Sequence, residues 1–151
     1  MTYVEKLQKE EWRIKRSWII KRDNYKCQRC GKVGYENAYD FKKEIIGEES
    51  YELSKVFRFI SEDDLMLNVH HICYREGREP WEYEEQELVT LCPECHEKVH
   101  NESKIPVYDK KGKIIKIAKI CDRCKGAGYI PLYKNVQNGI CFKCGGEGVL
   151  L

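Results

Sequence analysis

Residues 88–100 read LVTLCPECHEKVH, and this run decides the fold. Leu88–Leu91 has the apolar, β-branched character of a short strand. Pro93 follows the first cysteine of a CxxC pair and suits the first turn of a helix, where its missing N–H costs nothing. The helix runs to about Asn101 and sets His96 and His100 at i and i+4, so both rings face one way. Upstream, residues 65–72 (LMLNVHHI) read as another strand, with Leu65, Leu67 and Val69 alternating. It ends in His70 and His71, which as strand neighbours point to opposite sides. All four histidines therefore fall between positions 70 and 100. Two strands and a helix can bring three imidazoles to one ion and leave a fourth as a base. The plainer alternative is a third structural zinc site, or exposed histidines at a helix end.

Eight of the nine cysteines form CxxC pairs: Cys27/Cys30, Cys92/Cys95, Cys121/Cys124 and Cys141/Cys144. Each such turn offers an ion two thiolates at about 2.3 Å, and two turns complete a tetrahedron. The only internal repeat, CDRCKGAG at 121–128 and CFKCGGEG at 141–148, leaves sixteen residues between its pairs. That is enough for a hairpin with a zinc knuckle at each end, and its glycines suit N–H groups turned toward sulfur at positive φ. A dithiol redox pair is the alternative, but it usually brings one CxxC beside a βαβ pattern, which is not visible. Cys27/Cys30 and Cys92/Cys95 remain as partners for a second four-cysteine zinc. Sixty-one residues separate them, and each pair could instead bind separately or join a histidine. Cys73 is left over as a small buried residue.

Elsewhere, residues 5–22 read as one helix with an apolar stripe of Leu7, Trp12, Ile14, Trp18 and Ile19, stopped at Asp23-Asn24. Residues 35–64 form an insertion of unknown role, with candidate strands at 39–46 and 56–60. Residues 73–87 read as a loop with an exposed aromatic patch, Trp81 and Tyr83. Ile105–Tyr108 and Lys113–Ile120 flank Asp109-Lys-Lys-Gly112, a hairpin turn. The fold class is small α+β, divided into a domain at 1–102 and a hairpin plus zinc ribbon at 103–151.

The 151 residues are 34% charged and 42% apolar, a balance that suits a soluble, folded chain. No apolar run approaches the roughly 18 residues of a membrane span. Met1–Trp12 is too charged for a secretory signal, so an intracellular, cytoplasmic setting is expected and the cysteines favour metal over disulfides. The net charge of +2 divides into +6 over residues 1–35, −10 over 36–100 and +6 over 101–151. Basic ends can contact phosphates. The candidates are Arg13, Arg16, Lys21, Arg22, Lys26 and Arg29, with Lys110, Lys111 and Lys113 on the hairpin turn. The alternative is that these faces are merely solvated. The acidic middle cannot face the same phosphates, so it and the Trp81/Tyr83 patch are candidate surfaces for a protein partner.

LNVHHI, LVTLCPECHEKVH and the upstream RDNYKCQRCG together resemble the HNH nucleases, over roughly residues 12–100. The resemblance implies a ββα-metal core stapled by a CxxC/CxxC zinc, and a hydrolase that cuts DNA phosphodiester bonds. Carried over by motif, His71 is the general base and His70, His96 and His100 hold one divalent ion. Three neutral imidazoles suit Zn²⁺, Ni²⁺ or Mn²⁺ better than Mg²⁺. The family's central Asn normally sits nine residues before the first helix histidine, and here that position is Glu87. Its carboxylate could accept the base's other N–H; equally, it could be an exposed acid, with a backbone carbonyl orienting the base. The C-terminal repeat resembles half of the cysteine-rich zinc region of DnaJ-type chaperones. No J-type helical region accompanies it, so co-chaperone activity does not follow.

The expectation is thus a DNA endonuclease with two structural Zn²⁺ and one catalytic divalent cation, of a compact kind frequent in phages and mobile elements. The same active-site chemistry would serve RNA. The competing expectation is a non-catalytic zinc module with a degenerate HNH core that binds nucleic acid or protein.

Overall fold

Thr2 and Glu5 form a reciprocal capping box, so the chain enters a helix almost at once: α1, Tyr3–Leu7. The computed structural model describes residues 1–36, 66–102 and 104–150. The candidate strands at 39–46 and 56–60, and nearly all of the 35–64 insertion, lie outside the described residues.

The single helix expected over 5–22 is two. Gln8 closes α1, and Lys9 takes extended backbone (φ −68°, ψ 148°) before α2, Glu10–Arg22, begins. The buried side of α2 is Trp12, Ile19 and Ile20, while Ile14 and Trp18 are exposed, so the expected stripe is rotated. Arg16 is the reason. It lies one turn beyond Trp12, and its Nη2 donates to the backbone carbonyls of Leu67 (2.6 Å) and Glu36 (3.0 Å). A charged residue that lies off the expected apolar stripe thus faces the fold.

Asp23 ends α2, and Asn24 and Tyr25 follow in left-handed backbone (φ 55° and 53°). The buried Asp23 carboxylate accepts from Arg22 Nε and Nη2 (2.8 and 2.9 Å) and from the Thr90 backbone N–H (3.0 Å). Burial opposes its ionisation, but those hydrogen bonds win and hold its pKa below the usual carboxylate range. Arg22 also donates to the Leu88 carbonyl (2.9 Å), so the helix end is locked onto a strand.

That strand is β3, Leu88–Leu91, which pairs antiparallel with β1, Asn68–His71. Asn68 lies opposite Leu91 and His71 opposite Leu88. Helix α3, Pro93–Glu102, follows β3 directly. Trp12, Ile19, Cys73, Tyr83 and Leu88 form the core between α2 and this pair. Each large apolar side chain buried there contributes about 1.5–3 kcal/mol.

The stretch 73–87 is not an exposed aromatic loop. Tyr83 is buried, its hydroxyl accepts the Arg75 backbone N–H (2.9 Å), and Trp81 packs on the same core. Within it, β2 (Tyr74–Arg75) pairs in parallel with β4 (Ile105–Tyr108). The expected hairpin is present: β4 pairs antiparallel with β5, Ile114–Ile120. Asp109 Oδ1 accepts the backbone N–H groups of Lys111 and Lys113 (2.8 and 2.9 Å) and shapes its turn. β6, Val149–Leu150, completes a sheet of order β2-β4-β5-β6 that crosses the 102/103 division. Between the last two cysteine pairs the expected hairpin reduces to one bridge, Tyr129 to Ile140, with two short 3-10 turns.

Candidate metal and catalytic site

Cys27, Cys30, Cys92 and Cys95 bring their sulfurs within 4.8 Å of one another, and so do Cys121, Cys124, Cys141 and Cys144. The Sγ separations of Cys30–Cys92 and Cys121–Cys141 are 3.8 Å, and that of Cys124–Cys144 is 3.6 Å. A tetrahedron of bonds about 2.3 Å long needs sulfurs about 3.8 Å apart, whereas a disulfide needs about 2 Å. The donor sets fit a thiolate-bound cation. Burial raises the Cys27 and Cys141 thiols, but backbone N–H groups outweigh it and bring them down to about 6 and about 7. Burial pushes Cys95 and Cys124 up to about 12.

In the C-terminal cluster, Gly128 and Gly148 N–H groups each lie 3.2 Å from a sulfur, that of Cys124 and Cys144 respectively. The two halves clasp reciprocally: Cys121 N–H donates to the Gly148 carbonyl and Cys141 N–H to that of Gly128, both at 2.9 Å. Gly128 and Gly148 have φ of +70° and +75°, and the opposite half leaves no space for a β-carbon on either.

The histidines meet as the strand and helix periods require. His70 and His71 leave β1 on opposite sides, and His96 and His100 project from one face of α3. Nitrogens of His70, His96 and His100 all lie within 4.8 Å of one another, and His100 Nε2 is 3.2 Å from His70 Nδ1. Bonds of about 2.0–2.1 Å to a shared ion need separations of this size. Burial lowers all three, His70 and His96 to about 3, so the rings are neutral at neutral pH, the form that can bind a cation. His100 Nδ1 lies 3.0 Å from the Lys125 carbonyl oxygen, which only accepts, so Nδ1 carries the proton and Nε2 is bare.

His71 sits beside this trio in a buried pocket. Its Nε2 is 2.9 Å from the Pro80 carbonyl oxygen, so Nε2 carries the proton and Nδ1 presents a lone pair. Trp12 stacks on the ring at 5.0 Å and Tyr83 meets it edge-on at 4.6 Å. Burial lowers its pKa to about 4, against the smaller opposing influence of Pro80 and Glu87.

Residues 58–102 match the family model for HNH endonucleases. The HNH segment contains all four histidines, Cys92/Cys95 and the run from β1 to α3. The C-terminal repeat lies outside it. Comparison with curated proteins and with solved structures finds no match to the chain. Among the described residues, no helix is long and apolar enough to cross a membrane.

Glu87 does not orient His71; the Pro80 carbonyl takes that proton instead. Nor is Glu87 an exposed acid. It is buried, accepting from Arg75 Nε (2.6 Å) and the Glu84 backbone N–H (2.9 Å), with the Cys73 thiol at 3.6 Å. Of the candidate phosphate contacts, Arg16 and Arg22 spend their donors on carbonyls inside the fold, and Arg29 pairs with Glu102 at 2.9 Å. Arg13, Lys21, Lys26, Lys110, Lys111 and Lys113 are exposed.

Besides the Pro80 carbonyl, two site groups have no sequence signal. The Tyr3 hydroxyl lies 3.2 Å from His71 Nδ1, and Lys125 contributes only its backbone.

Proposed function

We propose that the protein is a metal-dependent HNH endonuclease that hydrolyses DNA phosphodiester bonds. The observation that carries this reading is the four-histidine arrangement within the HNH segment. Three rings converge their nitrogens within 4.8 Å, and the fourth, one strand position away, keeps a bare Nδ1. His71 is the general base: its neutral ring accepts a proton from the attacking water at Nδ1. Its Nε2–H stays on the Pro80 carbonyl, which holds the ring's orientation and favours the imidazolium as it forms. His70, His96 and His100 hold one divalent cation, with Zn²⁺, Ni²⁺ and Mn²⁺ better matched than Mg²⁺. When bound, that cation supplies charge stabilisation to the scissile phosphate and the departing oxygen. Zinc on each four-cysteine cluster is structural, joining α2's end to β3 in one case and closing the C-terminal ribbon in the other.

The test is supercoiled-plasmid cleavage with each of Mg²⁺, Mn²⁺, Ni²⁺ and Zn²⁺, comparing wild type with His71→Ala. Loss of a positioned general base should cost about 10²–10⁴-fold in rate. Cleavage absent with every metal, or unchanged in the variant, overturns the reading. A labelled RNA in the same assay decides the sugar.

A further inference from the structure

His100 reaches beyond the HNH segment. Cys124, Lys125, Gly126 and Ala127 of the C-terminal ribbon line the same cavity, about 430 Å³, as His70, His71, His96 and His100. Lys125 has left-handed backbone (φ 53°), uncommon for a residue with a side chain, and its carbonyl oxygen lies 3.0 Å from His100 Nδ1. At Gly126 (φ +88°) a β-carbon would collide with the His100 ring at Nδ1 and Cε1, so this approach requires glycine. The same short loop begins at Cys124, a member of the cysteine cluster, whose sulfur accepts the Gly128 N–H at 3.2 Å and closes the turn.

We propose that the ribbon loop 124–127 is a working part of the histidine metal site, with the Lys125 carbonyl as the group that positions His100. By accepting the Nδ1 proton it fixes one tautomer and turns the bare Nε2 toward the cation, beside His70. Without it the ring is free to carry its proton on Nε2, the atom that must bind metal. The ion on the cysteine cluster holds the loop, so the C-terminal ribbon is coupled to loading of the histidine site through one hydrogen bond. This inference rests on the reading that the three histidines bind a divalent ion. Partners of this kind typically govern 10–100-fold in metal affinity.

The experiment uses the full chain, ¹⁵N-labelled, with zinc on both cysteine clusters and the histidine site ion-free. Two-bond ¹H–¹⁵N correlation reads each histidine tautomer, and electron paramagnetic resonance titration reads Mn²⁺ affinity. Wild type should show His100 protonated on Nδ1. Gly126→Ala should lose that preference and bind Mn²⁺ 10–100-fold more weakly, while still retaining zinc on both cysteine clusters. A wild-type His100 protonated on Nε2 overturns the proposal, as does a Gly126→Ala protein with unaltered tautomer and affinity. If Gly126→Ala fails to hold the ribbon zinc, the wild-type tautomer decides alone. The two readings separate cleanly. A wild type that binds Mn²⁺ with His100 protonated on Nδ1 but cuts no phosphodiester refutes the nuclease and leaves the coupling standing. One that cuts DNA while Gly126→Ala binds Mn²⁺ normally refutes the coupling alone.

Discussion

The Tyr3 hydroxyl donates to the one bare nitrogen of His71, at 3.2 Å, because Pro80 already holds the ring's other proton. On the proposed reading, a water activated by His71 occupies that place, so the phenol has to withdraw before the ring can take a proton. A hydrogen bond of this kind is worth about 1 kcal/mol net, or roughly fivefold in rate. Tyr3→Phe should therefore cleave plasmid about fivefold faster than wild type, with ion affinity unchanged. A slower variant would mean instead that the hydroxyl positions the water.

Burial of neutral histidines also makes stability depend on pH. His71 falls to about 4 and His70 and His96 to about 3, against about 6.5 unfolded. The folded chain thus binds fewer protons than the unfolded one between those values, and acid favours unfolding. The stability these rings contribute is complete above pH 6.5 and drains away as pH falls toward 4. Between pH 6.5 and 5, His71 alone accounts for about 2 kcal/mol at most. Urea midpoints of protein without an ion on the histidines should fall over this range, and His71→Asn should flatten the slope. Equal slopes in the two proteins would contradict the burial argument. Zinc content measured at each pH separates this effect from loss of the cysteine-bound ions.

Glu87 holds Arg75 rather than His71, so its loss should cost fold more than chemistry. Glu87→Gln removes a charge partner from Arg75 Nε and should lower unfolding free energy by about 1–3 kcal/mol. Cleavage per folded molecule at low temperature should stay within about threefold of wild type, because the Pro80 carbonyl still orients His71. A loss of 100-fold or more without destabilisation would restore Glu87 to the reaction.

Legibility in the sequence follows the range of the interaction. Pro93, the i, i+4 histidines and the CxxC spacings are local signals, and β3, α3 and the cysteine clusters appear where those signals put them. The break at Gln8-Lys9 carries neither Gly nor Pro, so α1 and α2 read as one helix. Arg16 disguises the buried side of α2 because its partners, the carbonyls of Leu67 and Glu36, are backbone atoms far along the chain. The two-residue β2–β4 pairing is too short to leave a pattern. At the site, the side chains are legible as a set while the groups that orient them are not. Pro80 and Lys125 act through carbonyls, which every residue has, and Tyr3 is 68 positions from its partner.

Metal content should divide the three clusters by donor chemistry. Purified protein should carry two zinc per chain that survive dialysis against a weak chelator, and one further ion on the histidines that exchanges. Thiol-specific release of the cysteine-held zinc should abolish the cooperative thermal transition, since both clusters hold segments with little apolar core. A folded, metal-free, disulfide-linked protein would contradict the sulfur separations of 3.6–3.8 Å.

The basic residues should separate into two kinds. Arg13 and Lys21 are exposed on α2, so Arg13→Ala with Lys21→Ala should weaken DNA binding and leave stability nearly unchanged. Removing two phosphate contacts should lower the slope of log affinity against log salt by about 2. Arg22 behaves differently, because its guanidinium joins the buried Asp23 to the Leu88 carbonyl. Arg22→Ala leaves that carboxylate short of its cationic partner and should destabilise the fold by about 2–4 kcal/mol. Its effect on the salt slope should be small. Fluorescence anisotropy with a short duplex at several salt concentrations, beside urea unfolding, reads both quantities. An Arg22→Ala protein as stable as wild type but with a reduced salt slope would place that arginine on DNA instead.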